Sequence, residues 1–174
     1  LVADLLDLAK LQTSTFSMRA ERVDLSQLAI VAADGFEPDA AERDLTLAVR
    51  PWPAPLIVSA DHDRLAQVAA NLVENAVQAM GGEGTLTVRT ARDGEHVLVE
   101  IGDTGAGIQP DHLSRIYDPF FTTKPIGQGT GLGLSITYGI VQEHGGVITC
   151  ESSEGKGTVF RLAFPLAPDG AAQR

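Results

Sequence analysis

The chain has 174 residues, 44% of them hydrophobic, which is enough to close one core and too little for two full domains. Its 23 acidic residues outnumber 13 basic ones for a net charge of −10, which argues against DNA, RNA or an anionic membrane surface as the main partner. The single cysteine, Cys150, excludes an internal disulfide and a multi-thiolate metal site, and it reads as a small buried apolar side chain in a reducing compartment.

No stretch reaches the roughly 18 apolar residues of a membrane span, and the start lacks the basic end of a signal peptide. The first residue is Leu1 rather than Met, so the chain is expected to be a cytoplasmic fragment of a longer protein whose preceding part is hidden.

In chain order, "LVADLLDLAKL" repeats Leu at 1, 5 and 8 beside Val2, Leu6 and Ala9, an apolar stripe covering most of two helical faces. It fits either the end of a helical hairpin that pairs with a second copy or a helix folded back on its own domain. Asp24 with Gln27 forms a D-x-x-Q capping signature for the next helix. Leu45 to Arg50 and Leu56 to Ala60 read as strands on either side of the turn at Pro51, Pro53 and Pro55. Asp61 caps a long helix that begins at His62 and stops at Gly81-Gly82.

"TLTVRTA" and "VLVEIGD" are strands joined at Asp93-Gly94. Gly105 to Gly131 shows little periodicity and is expected to be a functional loop. A helix from about Leu132 to His144, ended by Gly145-Gly146, precedes two closing strands, "VITCES" and "GTVFRLAF". The tail "APDGAAQR" is expected to be disordered. Strands meet through hairpins more often than through helices, so the expected class is α+β, a mixed and mostly antiparallel sheet with helices on one face.

Four clusters carry chemistry. Asn71 and Asn75 stand at i and i+4 on one helix face, with Glu74 and Gln78 adjoining. Asn is costly to bury unpaired, and a neutral carbonyl oxygen suits a Mg²⁺ ion that also holds phosphates. "DTGAGI" places Asp103 at the end of a strand, where an acceptor-only carboxylate would pair with the exocyclic amine of adenine and repel the carbonyl of guanine. Gly105 and Gly107 let the backbone approach something closely.

"GQGTGLGL" carries glycines at 127, 129, 131 and 133 directly before a helix, which turns backbone N–H groups and the helix dipole toward an anion. It matches neither the P-loop spacing nor the dinucleotide fingerprint. In "DPFFTTK", Phe120 and Phe121 make either a hydrophobic latch or core packing, and Lys124 meets phosphate.

In this order the motifs resemble those of the catalytic, ATP-binding domain of bacterial sensor histidine kinases, a superfamily shared with gyrase, mismatch-repair and chaperone ATPases. "NLVENAVQAM" resembles the N box, "DTGAGI" the first Gly box, "DPFFTTK" the F box, "GQGTGLGL" the second Gly box, and "EGKGTVFRLAFP" the final strands, over about Val23 to Pro165. The resemblance implies a two-layer α/β sandwich of the Bergerat type with three helices on one face and ATP between the N-box helix and a mobile lid.

It assigns Asn75 to Mg²⁺ and Asn71 to the phosphates or the transfer chemistry. Asp103 goes to the adenine amine, with Gly105 and Gly107 lining the nucleotide and Thr158 near the base. Gly129, Thr130, Gly131, Leu132 and Gly133 go to the phosphates, and Lys124 to a lid contact of catalytic weight. It divides the chain into a helix end and linker (1–22), the catalytic domain (23–165) and a tail (166–174). The "FFTTK" and "QAM" spelling resembles the branch serving nitrogen or dicarboxylate signalling.

Two departures stand out. Many members carry Lys-Tyr where this chain has Gln78 and Ala79, which removes two nucleotide contacts. None of His62, His96, His112 or His144 fits the phosphoacceptor pattern H-[ED]-x-[RK]-[TN]-P, and His144 is expected on the surface at a helix C-terminus. The acceptor helix is therefore expected upstream of Leu1, so the chain binds ATP without labelling itself. The implied partners are its own dimerisation and phosphoacceptor helices in a homodimer and the receiver domain of a response regulator. A related serine kinase acting on an anti-sigma antagonist, or a non-catalytic scaffold regulated by nucleotide, are the rival readings.

Overall fold

The computed structural model describes residues 19–125 and 129–168. The apolar segment Leu1 to Leu11, Gly127 and the tail residues 169–174 lie outside the described residues.

Strand β1 (Glu21–Asp24) leads into helix α1 (Leu25–Asp34) and a short helix α2 (Glu37–Glu42). Strands β2 (Asp44–Arg50) and β3 (Ile57–Ala60) precede the long helix α3 (His62–Met80). Strands β4 (Glu83–Asp93) and β5 (His96–Asp103) form a hairpin through Gly94, whose φ of 58° suits a residue without Cβ. A one-turn helix α4 (Pro110–Leu113), helix α5 (Gly133–Glu143) and strands β6 (Val147–Ser153) and β7 (Gly157–Pro165) complete the fold.

Five strands form one sheet in the order β2-β4-β5-β7-β6, with β2–β4 parallel and the other pairs antiparallel. The parallel pair follows from topology: β3 and α3 lie between β2 and β4 in the chain and return it to the same end of the sheet. Alternation sorts the two faces. Val97, Val99 and Ile101 of β5 and Phe160, Leu162 and Phe164 of β7 point into the core, where α1 and α3 cover β5, α3 covers β7 and α5 packs on β6 and α3. The expected α+β sandwich, with three long helices on one face of a mostly antiparallel sheet, is what the structure shows.

On the opposite face four charges alternate across neighbouring strands. Arg89 bonds Glu100 at 2.8 Å, and Arg161 bonds Glu100 at 2.7 Å and Glu151 at 2.5 Å. The Arg161 guanidinium, with Arg89, holds the Glu100 carboxyl below the usual range against the opposing effect of burial. Two unlike pairs directly across strands suit a solvated sheet face and would be costly in the core.

Several local expectations change. The strand at β3 pairs with β1 in a separate two-stranded sheet, a pairing the sequence pattern did not reveal. Four residues, two of them charged and exposed, carry no usable alternation signal. Asp24 caps α1 by accepting from Ser26 N–H at 3.0 Å, and its second bond goes to Leu56 N–H at 3.1 Å rather than forming a box with Gln27. The tail is held at its start, where Leu166 N–H donates to Glu95 and Ala167 N–H to the carbonyl of Ile57 at 2.8 Å.

His144 is a correction. It is 8% exposed, not a surface residue, because both of its ring nitrogens are engaged within the fold. Its Nε2 accepts from Asp61 N–H at 3.0 Å and its Nδ1 donates to the carbonyl of Ile140 at 2.7 Å, a pairing that requires the neutral Nδ1–H tautomer. The ring thus fastens the end of α5 to the cap of α3, the two helices that carry the asparagines and the glycine loop. His144→Ala is expected to lower the stability by about 1–3 kcal/mol, since it leaves the partly buried Asp61 N–H without its acceptor and opens a void. A urea unfolding midpoint equal to that of the parent would refute this fastening role.

Candidate functional site

Helix α3 supplies one wall of the site. Leu65, Val68, Ala69, Leu72, Val73, Ala76, Val77 and Met80 recur at helical spacing and are buried against the sheet. That rotation turns Asn71 toward α5 and Asn75 and Gln78 toward the loop that precedes it. Asp61 caps the helix by accepting from Arg64 N–H at 3.2 Å, and Gly81 at φ 69° ends it in the left-handed conformation.

The paired asparagines have different partners. Asn71 Nδ2 donates to the carbonyl of Gly133 and to Thr137 Oγ1, both at 3.4 Å, linking α3 to the first turn of α5. Asn75 Oδ1 accepts from Lys124 Nζ at 3.0 Å. The same ammonium donates to Gln78 Oε1, and Gln78 Nε2 in turn donates to Glu74 Oε1 at 2.9 Å. Burial lowers the Lys124 pKa, while the Glu74 carboxylate acts in the opposite direction. The sequence placed Gln78 beside the asparagines on this face and as a departure from the family pattern, but gave it no contact of its own. In three dimensions it belongs to the site, and its signal was the i+3 spacing from Asn75.

Asp103 closes the other end. It ends β5, is 9% exposed and pairs in register with Thr158 of β7. Its Oδ1 accepts from Gly105 N–H at 2.8 Å. Burial pushes its pKa up, and the Gly105 and Thr158 backbone N–H groups only partly offset this. Ser152, which the sequence reading missed, organises this corner: its hydroxyl lies 2.9 Å from Thr158 Oγ1, donates to the carbonyl of Gly157 and accepts from Ile108 N–H at 2.8 Å. A serine on a strand carries no motif signal, so only the fold reveals it. Cys150, half-buried on the same strand, has its thiol pushed up to about 11, chiefly by burial, as befits an inert side chain.

The glycines answer to the protein before any ligand. A Cβ at Gly105 would fall 2.5 Å from the carbonyl of Ala79, and one at Gly107 2.1 Å from that of Ser153, so this loop lies directly on α3 and on the β6–β7 turn. Gly131, at φ 66°, would meet the Phe120 backbone at 2.4 Å. A Cβ at Gly129 would fall 2.7 Å from Thr122 Oγ1 and 3.1 Å from Lys124 Cδ. Gly133 differs: nothing stands within 4 Å of its missing side chain, at the start of α5. Thr130 Oγ1 accepts from Leu132 N–H at 3.3 Å, and Leu132, fully buried, anchors the loop to the core.

The two phenylalanines separate. Phe120 is 62% exposed with φ 67°, which fits a latch rather than core packing. Phe121 lies under the Arg115 guanidinium at 4.6 Å and edge-on to His112.

Asn71, Asn75, Lys124, Gly129 and Gly133 thus share one flank of α3, with Asp103, Gly105 and Thr158 grouped at its far end. A broad depression of about 660 Å³ opens beside them, where Ala79, Gly105 and Ala106 meet Asp44 and Glu83; it contains none of Asn71, Asn75, Asp103, Lys124 or Thr158. Among the described residues no group of three or more His, Cys, Asp or Glu is placed to hold a metal, and no helix is long and apolar enough to cross a membrane.

A sheet covered by helices on one face, with paired asparagines on the long helix, a buried strand-end aspartate and a glycine loop opening the last helix, defines a nucleotide-binding ATPase domain. Residues 60–168 match the histidine kinase-, DNA gyrase B- and HSP90-like ATPase family, and the chain belongs to it. Within that family it is a catalytic domain homologous to sensor histidine kinases.

It is 38% identical to the sensor histidine kinase ZraS of Salmonella typhi over 166 residues, covering 95% of this chain and 34% of that protein. It is 43% identical to the sensor kinase CckA of Brucella abortus (strain 2308) over 129 residues, 66% of this chain and 13% of that one. The catalytic domain of the histidine kinase ThkA superposes with a TM-score of 0.78 at 34% identity over 87% of this chain and all of that one. Full-length ShkA in complex with AMPPNP gives 0.83 at 30% identity over 99% of this chain and 36% of that one. The chain spans about a third of the length of its ZraS relatives.

Proposed function

We propose that this chain binds Mg·ATP and supplies the nucleotide half of a histidine kinase, passing the γ-phosphoryl group to a histidine carried by another segment, from which it moves to an aspartate of a response regulator. The observation that carries this reading is the grouping of Asn71, Asn75, Lys124, Gly129 and Gly133 along one flank of α3, with the buried carboxylate of Asp103 at its end. The ShkA complex contains a nucleotide analogue, and ThkA and ZraS carry the kinase name; these support the reading by homology.

Asp103 accepts from the adenine amine, with Thr158 beside it. Asn71 and the N–H groups at Gly129, Gly131 and Gly133 hold phosphates, which lets an acidic chain bind a polyanion through its backbone. Thr130 and Leu132 shape that turn. Lys124 neutralises phosphate charge. Asn75 Oδ1 already accepts from an ammonium, so its carbonyl is oriented toward a cation and suits Mg²⁺. With no cluster of three or more carboxylate, His or Cys ligands among the described residues, phosphate oxygens and water would supply the remaining ligands. Bound there, the ion would neutralise charge on the transferring group; the chain itself contributes positioning and exclusion of water.

The decisive test has two arms. Calorimetric titration with Mg²⁺ should give saturable binding of ATP that GTP does not compete with. Labelled ATP, added with a purified helical-hairpin segment bearing an acceptor histidine, should then give acid-labile phosphohistidine on that segment and none on this chain. Absence of ATP binding would overturn the whole reading, and label on this chain would place the acceptor within it.

A further inference from the structure

The contact between Lys124 and helix α3 goes beyond assigning a phosphate ligand. The ammonium bonds Asn75 Oδ1 at 3.0 Å and Gln78 Oε1. Both acceptors are neutral amides on one helix face, and Gln78 is itself oriented by the 2.9 Å bond to Glu74. The lysine stem is confined on the other side, where Lys124 Cβ and Cδ pack against the Gly129 backbone and would lie only 3.1–3.2 Å from any Cβ there. Among the described residues of this loop, Lys124 is the one whose side chain bonds α3, so the docked ammonium links the loop to that helix.

We infer that Lys124 is a built-in counter-cation that occupies the Asn75 carbonyl when the site is empty and is exchanged for the metal when Mg·nucleotide enters, with Gln78 the positioning residue that keeps it within reach. The inference rests on the ATP-binding reading above. One amide oxygen cannot keep both an ammonium and a divalent ion in its first coordination sphere without strong repulsion between them, so metal and lysine compete for Asn75. A lysine retained by Gln78 remains close enough to turn to the phosphates. The positive charge that the helix lacks at position 78 is thereby delivered from the loop.

The test is the dependence of ADP affinity on Mg²⁺, measured by calorimetry in parent and Lys124→Met, a variant that keeps the apolar stem and removes the charge. In the parent, part of the gain from Mg²⁺ is spent on displacing Lys124. The ratio of the dissociation constant without metal to that with metal should therefore rise roughly threefold to tenfold in Lys124→Met. The side-chain amide resonances of Asn75 and Gln78 should shift in the nucleotide-free variant as well. An unchanged ratio, or a smaller one, would show that lysine and metal act independently or together and would overturn the exchange. Failure of the parent to bind ADP at all would instead remove the ATP-binding reading beneath it, and a thermal unfolding curve like that of the parent would show that the variant is folded.

Discussion

Asp103→Asn is expected to weaken ATP binding on the order of ten- to a hundredfold, the loss of a hydrogen bond to a charged acceptor of about 1–3 kcal/mol. Asn retains one oxygen, which can still accept from Gly105 N–H, but it presents an NH₂ group where the adenine amine needs an acceptor. The same substitution is expected to leave the unfolding midpoint unchanged or to raise it. Burial penalises the charged form of Asp103, so the neutral isostere removes a cost that the folded protein carries. A fall in affinity without a fall in stability separates recognition from folding.

The pH dependence has a definite sign. The folded-state pKa of Asp103 is raised, so ATP affinity in the parent is full above that pKa and is lost as pH falls through it, at a higher pH than a solvated aspartate would show. In Asp103→Asn this step should vanish. Parent-like ATP affinity in the variant would sink the adenine assignment.

Gly131→Ala is expected to have the second large effect. At φ 66° an alanine pays the left-handed conformational cost of about 1–2 kcal/mol, and its Cβ would lie 2.4 Å from the Phe120 carbonyl carbon. Phe120 cannot yield easily: its N–H donates to the carbonyl of Gly131 at 2.8 Å, and it already sits at φ 67°. Two residues in the left-handed region, each braced on the other, hold the loop against the start of α5.

Displacing this brace moves Leu132, which is fully buried, and with it the first turn of α5 where Gly133 and Asn71 meet. Gly131→Ala should therefore lose about 1–3 kcal/mol of stability in urea unfolding and several-fold in ATP affinity. A variant that unfolds and binds as the parent does would show that the brace has no consequence for the site. The contrast with Gly133 is informative, because nothing crowds its missing side chain; an alanine there should cost affinity through the ligand alone.

Much of this protein is determined within short windows of its sequence. The apolar period from His62 to Met80 dictates both the buried face of α3 and the flank that carries Asn71, Asn75 and Gln78, since 3.6 residues per turn allow no other sorting. The two-residue period that carries Val97, Val99 and Ile101 inward continues to Asp103 and places it on the inner face. The glycines around Leu132 announce a backbone that must bend into a helix.

Tertiary structure alone decided which distant residues meet. Lys124 reaches Asn75 and Gln78 across 49 and 46 residues, and His144 reaches Asp61 across 83. The glycines at 105, 107 and 131 proved to be required by Ala79, Ser153 and Phe120, partners that no local spacing identifies. The pairing of β1 with β3 likewise joins segments far apart in the chain. Local periodicity follows from backbone geometry and is written into neighbouring residues. Contacts between distant segments depend on how the layers pack, and the chemistry of this site lies mostly in such contacts.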